Sequence, residues 1–291
     1  MVVGIVGVGI MGGAIAQSLV ADGLAVQGFD PDPSRRDHLR HIGATVAGSA
    51  AELAPGADLV LTSLPSAAAL DETVTSLLAA PRAGLVIAEL STLPIPDKER
   101  CRDRLAAGGM ILLDCPISGT GAQAATRDLA VYASGDRAAF DRAERVFAHF
   151  ARVSHYLGSF GNGSRMKFVA NLLVAVHNVA SAEAMVLGLK SGLDPETIVR
   201  VIGSGAGNSR IFELRAPLMA KDEYQPASMK IDVWQKDMSI IAAFAKALGV
   251  ETPTFTATGP IYDAAQAAGL GADDTAAVCA LLERRAGVRR G

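Results

Sequence analysis

The first thirty residues constrain the fold more tightly than any other stretch of this chain. Val2-Val3-Gly4-Ile5-Val6 reads as a buried strand and runs into Gly7-Val8-Gly9-Ile10-Met11-Gly12, a G-x-G-x-x-G turn. A helix follows, with Met11, Ala14, Ile15, Ser18 and Leu19 on one face and Asp22-Gly23 at its end. A second strand, Ala25–Phe29, leads to Asp30. Strand, glycine turn, helix, strand and acid in that order form a βαβ unit suited to a dinucleotide. Gly7 permits the tight turn, Gly9 lets the backbone approach a pyrophosphate, and Gly12 lets helix and strand pack closely. The helix N-terminus offers N–H groups and a partial positive charge to the anion. Gly7, Gly9, Ile10, Met11 and Gly12 are therefore expected cofactor contacts. Asp30 selects the cofactor: its carboxylate accepts hydrogen bonds from the adenosine ribose hydroxyls and repels a 2′-phosphate, so NAD is expected over NADP. Arg35 and Arg36 are near enough in sequence to hold such a phosphate, but they also read as surface charges in the first turns of a helix.

The alternation continues. Strands are expected at Leu59–Ser63, Leu85–Glu89, Met110–Asp114 and Leu129–Ala133, with helices at Ser34–His41, Ala67–Ala79 and Pro96–Ala107. A helix from Asp136 to Phe150 and a short run at Val153–Leu157 follow. Strands alternating with helices imply right-handed crossovers and a doubly wound parallel sheet of the Rossmann type. After Gly163 the pattern changes. Met166–Lys190 is one long apolar-periodic segment, and further helical stretches lie at Glu196–Ile202, Arg210–Leu218, Met229–Leu248, Pro253–Ala268 and Thr275–Arg285. The expected architecture is an α/β dinucleotide-binding domain over 1–160 and an all-α substrate and dimerisation domain over 161–291, begun by the long helix.

Composition narrows the function classes. Net charge is −3, with no electrostatic footprint for nucleic acid, and the basic end (Arg284, Arg285, Arg289, Arg290) reads as a solvated tail. No apolar run approaches the roughly 20 uncharged residues of a membrane span, and the N-terminus lacks a charged leader region. Cys101, Cys115 and Cys279 are an odd, scattered set, which argues against a disulfide framework and for a reducing, cytoplasmic setting. The five histidines show no ligand spacing, so no metal is expected.

Four separated motifs resemble the β-hydroxyacid dehydrogenases, a family that includes 3-hydroxyisobutyrate dehydrogenase and tartronate semialdehyde reductase. Gly7–Gly12 carries the family's Met before the last glycine. Asp114-Cys115-Pro116-Ile117-Ser118-Gly119-Thr120 is similar to its D-A-P-V-S-G-G segment. Gly161 to Asn171, with Gly163, Lys167 and Asn171 in register, resembles its G-x-G-x-x-x-K-x-x-x-N helix, and Lys236-Asp237 its late K-D pair. The resemblance implies that Lys167 is the catalytic lysine and that Ser118, Gly119 and Asn171 hold the substrate. It implies cofactor contacts at Leu64, Pro65, Thr92 and Lys236. It also implies a homodimer or homotetramer. Thr120 replaces the second glycine of S-G-G, and Arg127 stands where the family usually has glycine; both departures fall in the substrate segment.

The residues make chemical sense of this assignment. Lys167 and Asn171 are four apart and share a helix face. Reduction of a carbonyl leaves an oxygen that needs a proton, which a lysine supplies; in oxidation a neutral lysine accepts it. Asn171 has a donor and an acceptor for orienting Lys167 or a substrate oxygen. Ser118 to Gly121 offers hydroxyls and N–H groups to a carboxylate, with an ordinary strand-to-helix loop as the plainer reading. Asn208, in a glycine-rich break between helices, is a further candidate substrate contact. His177, Asn178, Glu183 and Trp234 read as packing residues. The expected activity is hydride transfer between NAD(H) and a small β-hydroxy acid or semialdehyde acid. An NADP-dependent imine reductase of the same architecture usually lacks lysine at this position, and a non-catalytic nucleotide-binding module has no need of it.

Overall fold

The computed structural model describes all residues except 121, 122, 125 and 289–291. Gly121 of the substrate loop and Arg289 and Arg290 of the basic tail thus lie outside the described residues. The chain forms two compact units, Met1–Lys167 and Phe168–Gly291. The division falls inside one continuous helix, Asn162–Lys190, a few residues beyond the boundary expected near 160.

The first unit holds a six-stranded sheet of β1 (Val2–Val6), β2 (Ala25–Phe29), β3 (Thr45–Val46), β4 (Leu59–Thr62), β5 (Val86–Glu89) and β6 (Ile111–Asp114). Their order is β3-β2-β1-β4-β5-β6, and every pairing is parallel. Strand residues alternate between two cores, as a side-chain period of two requires. Ile5, Leu59, Leu61, Ala88 and Leu113 pack with Ile15, Leu19 and Phe147 on one face. Val60, Ile87 and Leu112 pack with Leu53, Leu70 and Leu105 on the other. Both faces are covered, so β4 and β5 read as unbroken apolar runs up to their last residues.

Helices α1 (Ile10–Ala21), α2 (Pro33–His41), α3 (Ala50–Leu53), α4 (Ala67–Leu78) and α5 (Ile95–Ala107) connect these strands. Several start on a side-chain cap: Asp32 accepts from Ser34 N–H, and Ser66 from Ala69 N–H. Leu129–Ala133 does not extend the main sheet. It is β8 of a separate three-stranded sheet, antiparallel to β7 (Ile117–Ser118) and parallel to β9 (Ala151–Tyr156). Helix α6 (Arg137–Phe147) lies between β8 and β9.

The second unit is helical among the described residues, apart from one isolated bridge between Lys230 and Asp274. The long helix α7 (Asn162–Lys190) is followed by α8 (Pro195–Gly203), α9 (Arg210–Lys221), α10 (Ile231–Ala247), α11 (Pro253–Ala265) and α12 (Val278–Ala286). The helix expected to run to Ala268 ends at Ala265 and passes into a wider turn, Gln266–Leu270, where Gly269 takes φ +84°. Phe168 meets Phe244 edge-on with ring centres 5.1 Å apart, and Trp234 packs on Tyr262 at 6.3 Å. Asn178 is buried, donating to Tyr262 Oη and Thr275 O at 2.9 Å each. Among the described residues, α7 alone is long and apolar enough by length and composition to cross a membrane, yet it carries the bonded amides of Asn171 and Asn178. The three cysteines are buried thiols, and burial pushes Cys101 up to about 11. Among the described residues, no group of three or more His, Cys, Asp or Glu is placed to hold a metal ion.

The β1–α1 turn gives a direct stability test. A Cβ on Gly12 would lie 2.0 Å from Gly7 O, whereas a Cβ on Gly9 meets nothing within 4 Å. Gly12→Ala is expected to lower unfolding stability by about 1–3 kcal/mol, read as a fall in the denaturation midpoint. Gly9→Ala should leave that midpoint unchanged; equal midpoints for the two variants would contradict the geometry.

Candidate active site

The sequence-expected residues of the first unit gather at one edge of the main sheet. The glycine turn follows β1, Asp30 follows β2, Leu64-Pro65 follow β4 and Thr92 follows β5. These are the carboxyl ends of parallel strands, where α/β sheets bind ligands. Ser118, Gly119 and Thr120 lie just beyond β6, with Ser118 paired to Ala130 on the small sheet. Ser118 is thus a strand residue.

The glycine turn is built to receive an anion. Gly7 has φ +86°, and a side chain there would strike Ser63 O. No side chain caps the N-terminus of α1, and its first turn carries no acid. Ile10 is 53% exposed and the space off Gly9 is open. A cradle with a bare helix N-terminus and an open approach fits a dinucleotide pyrophosphate.

Asp30 is buried and does more than the sequence suggested. Its Oδ2 accepts from Val8 N–H at 2.7 Å and its Oδ1 from Asp32 N–H at 2.9 Å. The carboxylate therefore locks the glycine turn to the end of β2, and each oxygen keeps a further lone pair for a ribose hydroxyl. Arg36 Nη1 donates to the carbonyls of Asp30 (2.7 Å) and Pro31 (3.0 Å), so its guanidinium is folded back onto the chain. Leu64 N–H donates to Ser91 Oγ at 2.7 Å, which ties the β4 loop to the β5 loop beside Thr92.

In the segment Ser118 to Thr120, Gly119 takes φ +130°, and a Cβ there would lie 2.5 Å from Leu129 Cδ2. Thr120 N–H donates to Gln123 Oε1 at 3.0 Å. Arg127 is a surface residue paired with Asp22, in a left-handed conformation of φ +57°.

Lys167 is buried, 8% exposed, on α7. Gly163 explains the glycine two residues into that motif: a Cβ on it would lie 2.2 Å from Tyr132 O and 2.7 Å from Asp114 O. The start of α7 is pressed onto the ends of β6 and β8. In the second unit, Asn171 is buried and donates from Nδ2 to Asp237 Oδ2 at 2.8 Å, while Lys236 Nζ lies 3.5 Å from Asp237 Oδ1. Asn208 is held locally, donating to Gly203 O (3.0 Å) and Glu213 Oε1 (2.8 Å), with its own Oδ1 buried and unbonded.

Sequence reasoning missed two features. Asp237 was read only as the partner of Lys236, yet it anchors Asn171 across 66 residues. The fully buried Glu89, Lys98 and Asp114 were not singled out as a group. Two acids ending adjacent apolar strands were the available signal.

Residues 2–158 match the family model described as the NAD binding domain of 6-phosphogluconate dehydrogenase. Residues 161–282 match the NAD-binding model of NADP-dependent 3-hydroxyisobutyrate dehydrogenase. An L-threonate dehydrogenase of Cupriavidus necator is 35% identical over 280 residues, covering 95% of this chain and 94% of that protein. A 2-(hydroxymethyl)glutarate dehydrogenase of Eubacterium barkeri is 29% identical over 98% of this chain and 96% of its own. The crystal structure of a 3-hydroxyisobutyrate dehydrogenase from Salmonella typhimurium superimposes with a TM-score of 0.87 at 31% identity, covering 97% of this chain and 99% of that one. With a nucleotide-binding edge, a buried lysine on the long helix and both family models in sequence, the chain belongs to the β-hydroxyacid dehydrogenases, NAD(P)-binding oxidoreductases that transfer hydride.

Proposed function

We propose that this chain interconverts a small carboxylate-bearing β-hydroxy acid and its carbonyl form with NAD(H), and that Lys167 is the general acid and base. The observation that carries this reading is the placement of Lys167. It is buried on a helix whose start is bonded to the same sheet edge that carries the glycine turn. Bound NADH supplies a hydride to a carbonyl carbon, and bound NAD+ takes one back in the reverse direction. The Lys167 ammonium donates a proton to the oxygen as it gains charge, leaving a neutral amine; in oxidation that amine accepts the hydroxyl proton. Asn171, its amide nitrogen fixed by Asp237, keeps its carbonyl oxygen to orient Lys167 or a substrate hydroxyl. Ser118 and Gly119 hold the substrate carboxylate, since the Thr120 N–H is engaged by Gln123. The dehydrogenases of L-threonate and 2-(hydroxymethyl)glutarate make hydroxy acids of about that size the first substrates to screen.

The preference for NAD rests on Asp30 and Arg36. A carboxylate at the end of β2 opposes a 2′-phosphate, and the Arg36 guanidinium is turned onto backbone carbonyls. A reducing cytoplasm fits the three buried thiols. A homo-oligomer fits the long helix, which exposes Val169, Leu173 and Leu187 by 56%, 49% and 74%.

Lys167→Ala is expected to lower kcat by about 10²–10⁴-fold while NADH binding, followed by fluorescence, stays at the wild-type Kd. Wild-type turnover in this variant would refute the role. For the cofactor, kcat/KM should be higher with NAD than with NADP for every hydroxy acid that turns over; the reverse order would overturn the assignment. Light scattering should give a mass of a dimer or tetramer, and a monomer at working concentration would contradict the oligomer.

A further inference from the structure

Glu89, Lys98 and Asp114 are fully buried, yet none of them is needed to contact a dinucleotide or a hydroxy acid. The Lys98 ammonium meets three acceptors: Glu89 Oε2 at 2.5 Å, Asp114 Oδ1 at 2.8 Å and Ser91 O at 2.7 Å. Ser91 also donates its N–H to Glu89 Oε1 at 2.9 Å, and its hydroxyl accepts from Leu64 N–H at 2.7 Å. On the other side, Asp114 reaches the start of α7. Its Oδ2 accepts from Ser164 N–H at 2.8 Å and its Oδ1 from Ser164 Oγ at 2.7 Å. Ser134 completes the contact, accepting from Gly163 N–H at 2.9 Å and lying 3.2 Å from Asp114 Oδ2.

A helix normally takes its cap from the residue just before it. Here the capping carboxylate comes from β6, fifty residues earlier in the chain. Two bonds from one carboxylate to one residue fix the rotation of the first turn as well as its position. Gly163 removes the remaining freedom, because its backbone is too close to Tyr132 O and Asp114 O for any side chain. Lys167 stands three residues beyond Ser164, on the same side of the helix. The ion cluster carries one excess negative charge, which the positive end of the 29-residue helix offsets.

We propose that Asp114, locked by Lys98, is the positioning residue for Lys167, setting the proton donor relative to the Leu64 and Thr92 loops through one buried ion pair. The inference rests on the reading of Lys167 as general acid and base. Ser91 and Lys98 fix the cofactor loops, Asp114 fixes the lysine-bearing helix, and a shared ammonium joins them.

The test uses the full-length protein. Ser164→Ala removes one hydroxyl and leaves the N–H bond, so it should fold with a denaturation midpoint near wild type. Its NAD(H) Kd and its KM for the hydroxy acid should stay within about twofold, while kcat falls about 10-fold and the pH dependence of kcat is displaced, as expected for a misplaced proton donor. Asp114→Asn should lower kcat further, by about 100-fold, together with the midpoint. In a Lys167→Ala background, Ser164→Ala should change the residual turnover no further. A folded Ser164→Ala enzyme with wild-type kcat and pH profile would overturn the proposal. So would a fall in kcat matched by an equal loss of dinucleotide affinity, or a further fall in the Lys167→Ala background. If Lys167→Ala keeps its turnover, the general-acid reading fails; if it is inactive and Ser164→Ala is wild type, only the positioning role fails.

Discussion

A buried lysine shared between two carboxylates governs how the carboxyl edge of the main sheet is assembled. Taking each ion out of water costs several kcal/mol, and only near-complete hydrogen bonding offsets it. Burial alone would push Lys98 down; the Asp114 and Glu89 carboxylates outweigh it and hold the ammonium above its ordinary range. It donates to Asp114 Oδ1 and to Ser91 O and is ion-paired with Glu89 Oε2. Asp114 in turn takes bonds from both the N–H and hydroxyl of Ser164. Removing one member would strand a buried charge, at a cost of about 3–5 kcal/mol. The same field acts on Cys115: burial first, then the Asp114 charge, pushes its thiol well above the usual range. That cysteine is a packing residue, although it sits within the substrate motif.

Backbone proximity is the second constraint. Gly7, Gly12 and Gly163 each lack room for a side chain because another backbone oxygen occupies the space. They bring the β1 turn against the end of β4 and against α1, and α7 against β6 and β8. Gly9 differs, because the space beside it is open. These four glycines therefore serve two purposes: Gly7, Gly12 and Gly163 allow segments of the protein to approach one another, and Gly9 leaves open space at the helix N-terminus. Asp30 joins the residues that bring segments together, since its carboxylate ties the glycine turn to β2.

Legibility followed sequence distance. The βαβ unit, the parallel strands and the helices of the second half were readable because each is a local periodicity. β3 and β7, two residues each, are too short to show a period. Helix α7 begins four residues before its apolar pattern, at Asn162, because Asn162 to Arg165 are small or polar and the cap comes from Asp114. Candidate site residues could be named where a motif kept them together, as with Lys167 and Asn171. Their supports could not: Lys98 to Asp114 spans 16 residues, Asp114 to Ser164 spans 50, and Asn171 to Asp237 spans 66. No periodicity reports a hydrogen bond between segments that only the folded chain brings together. Asn208 shows the opposite case, a polar residue in a suggestive loop whose amide nitrogen serves that loop.

The departures in the substrate segment can now be weighed separately. Arg127 replaces a glycine at a position with φ +57°, a conformation that costs a side-chain-bearing residue about 1 kcal/mol. Its guanidinium pairs with Asp22 at the end of α1, which also meets His149 at 2.7 Å. His149 first, and Arg127 after it, hold the Asp22 carboxyl below its usual range. A cation at a helix C-terminus is further favoured by the helix dipole. Arg127 is therefore a brace between the loop that precedes β8 and α1, its charge engaged by Asp22. Thr120 is the other departure, and its N–H and hydroxyl both meet Gln123. A side chain in place of glycine, held by its neighbour beside Ser118 and Gly119, changes the shape offered to a ligand without adding charge. On the proposed reading of this segment as a substrate contact, any difference from the family pattern should therefore appear in the size or stereochemistry of the substrate, and not as a preference for a more anionic molecule.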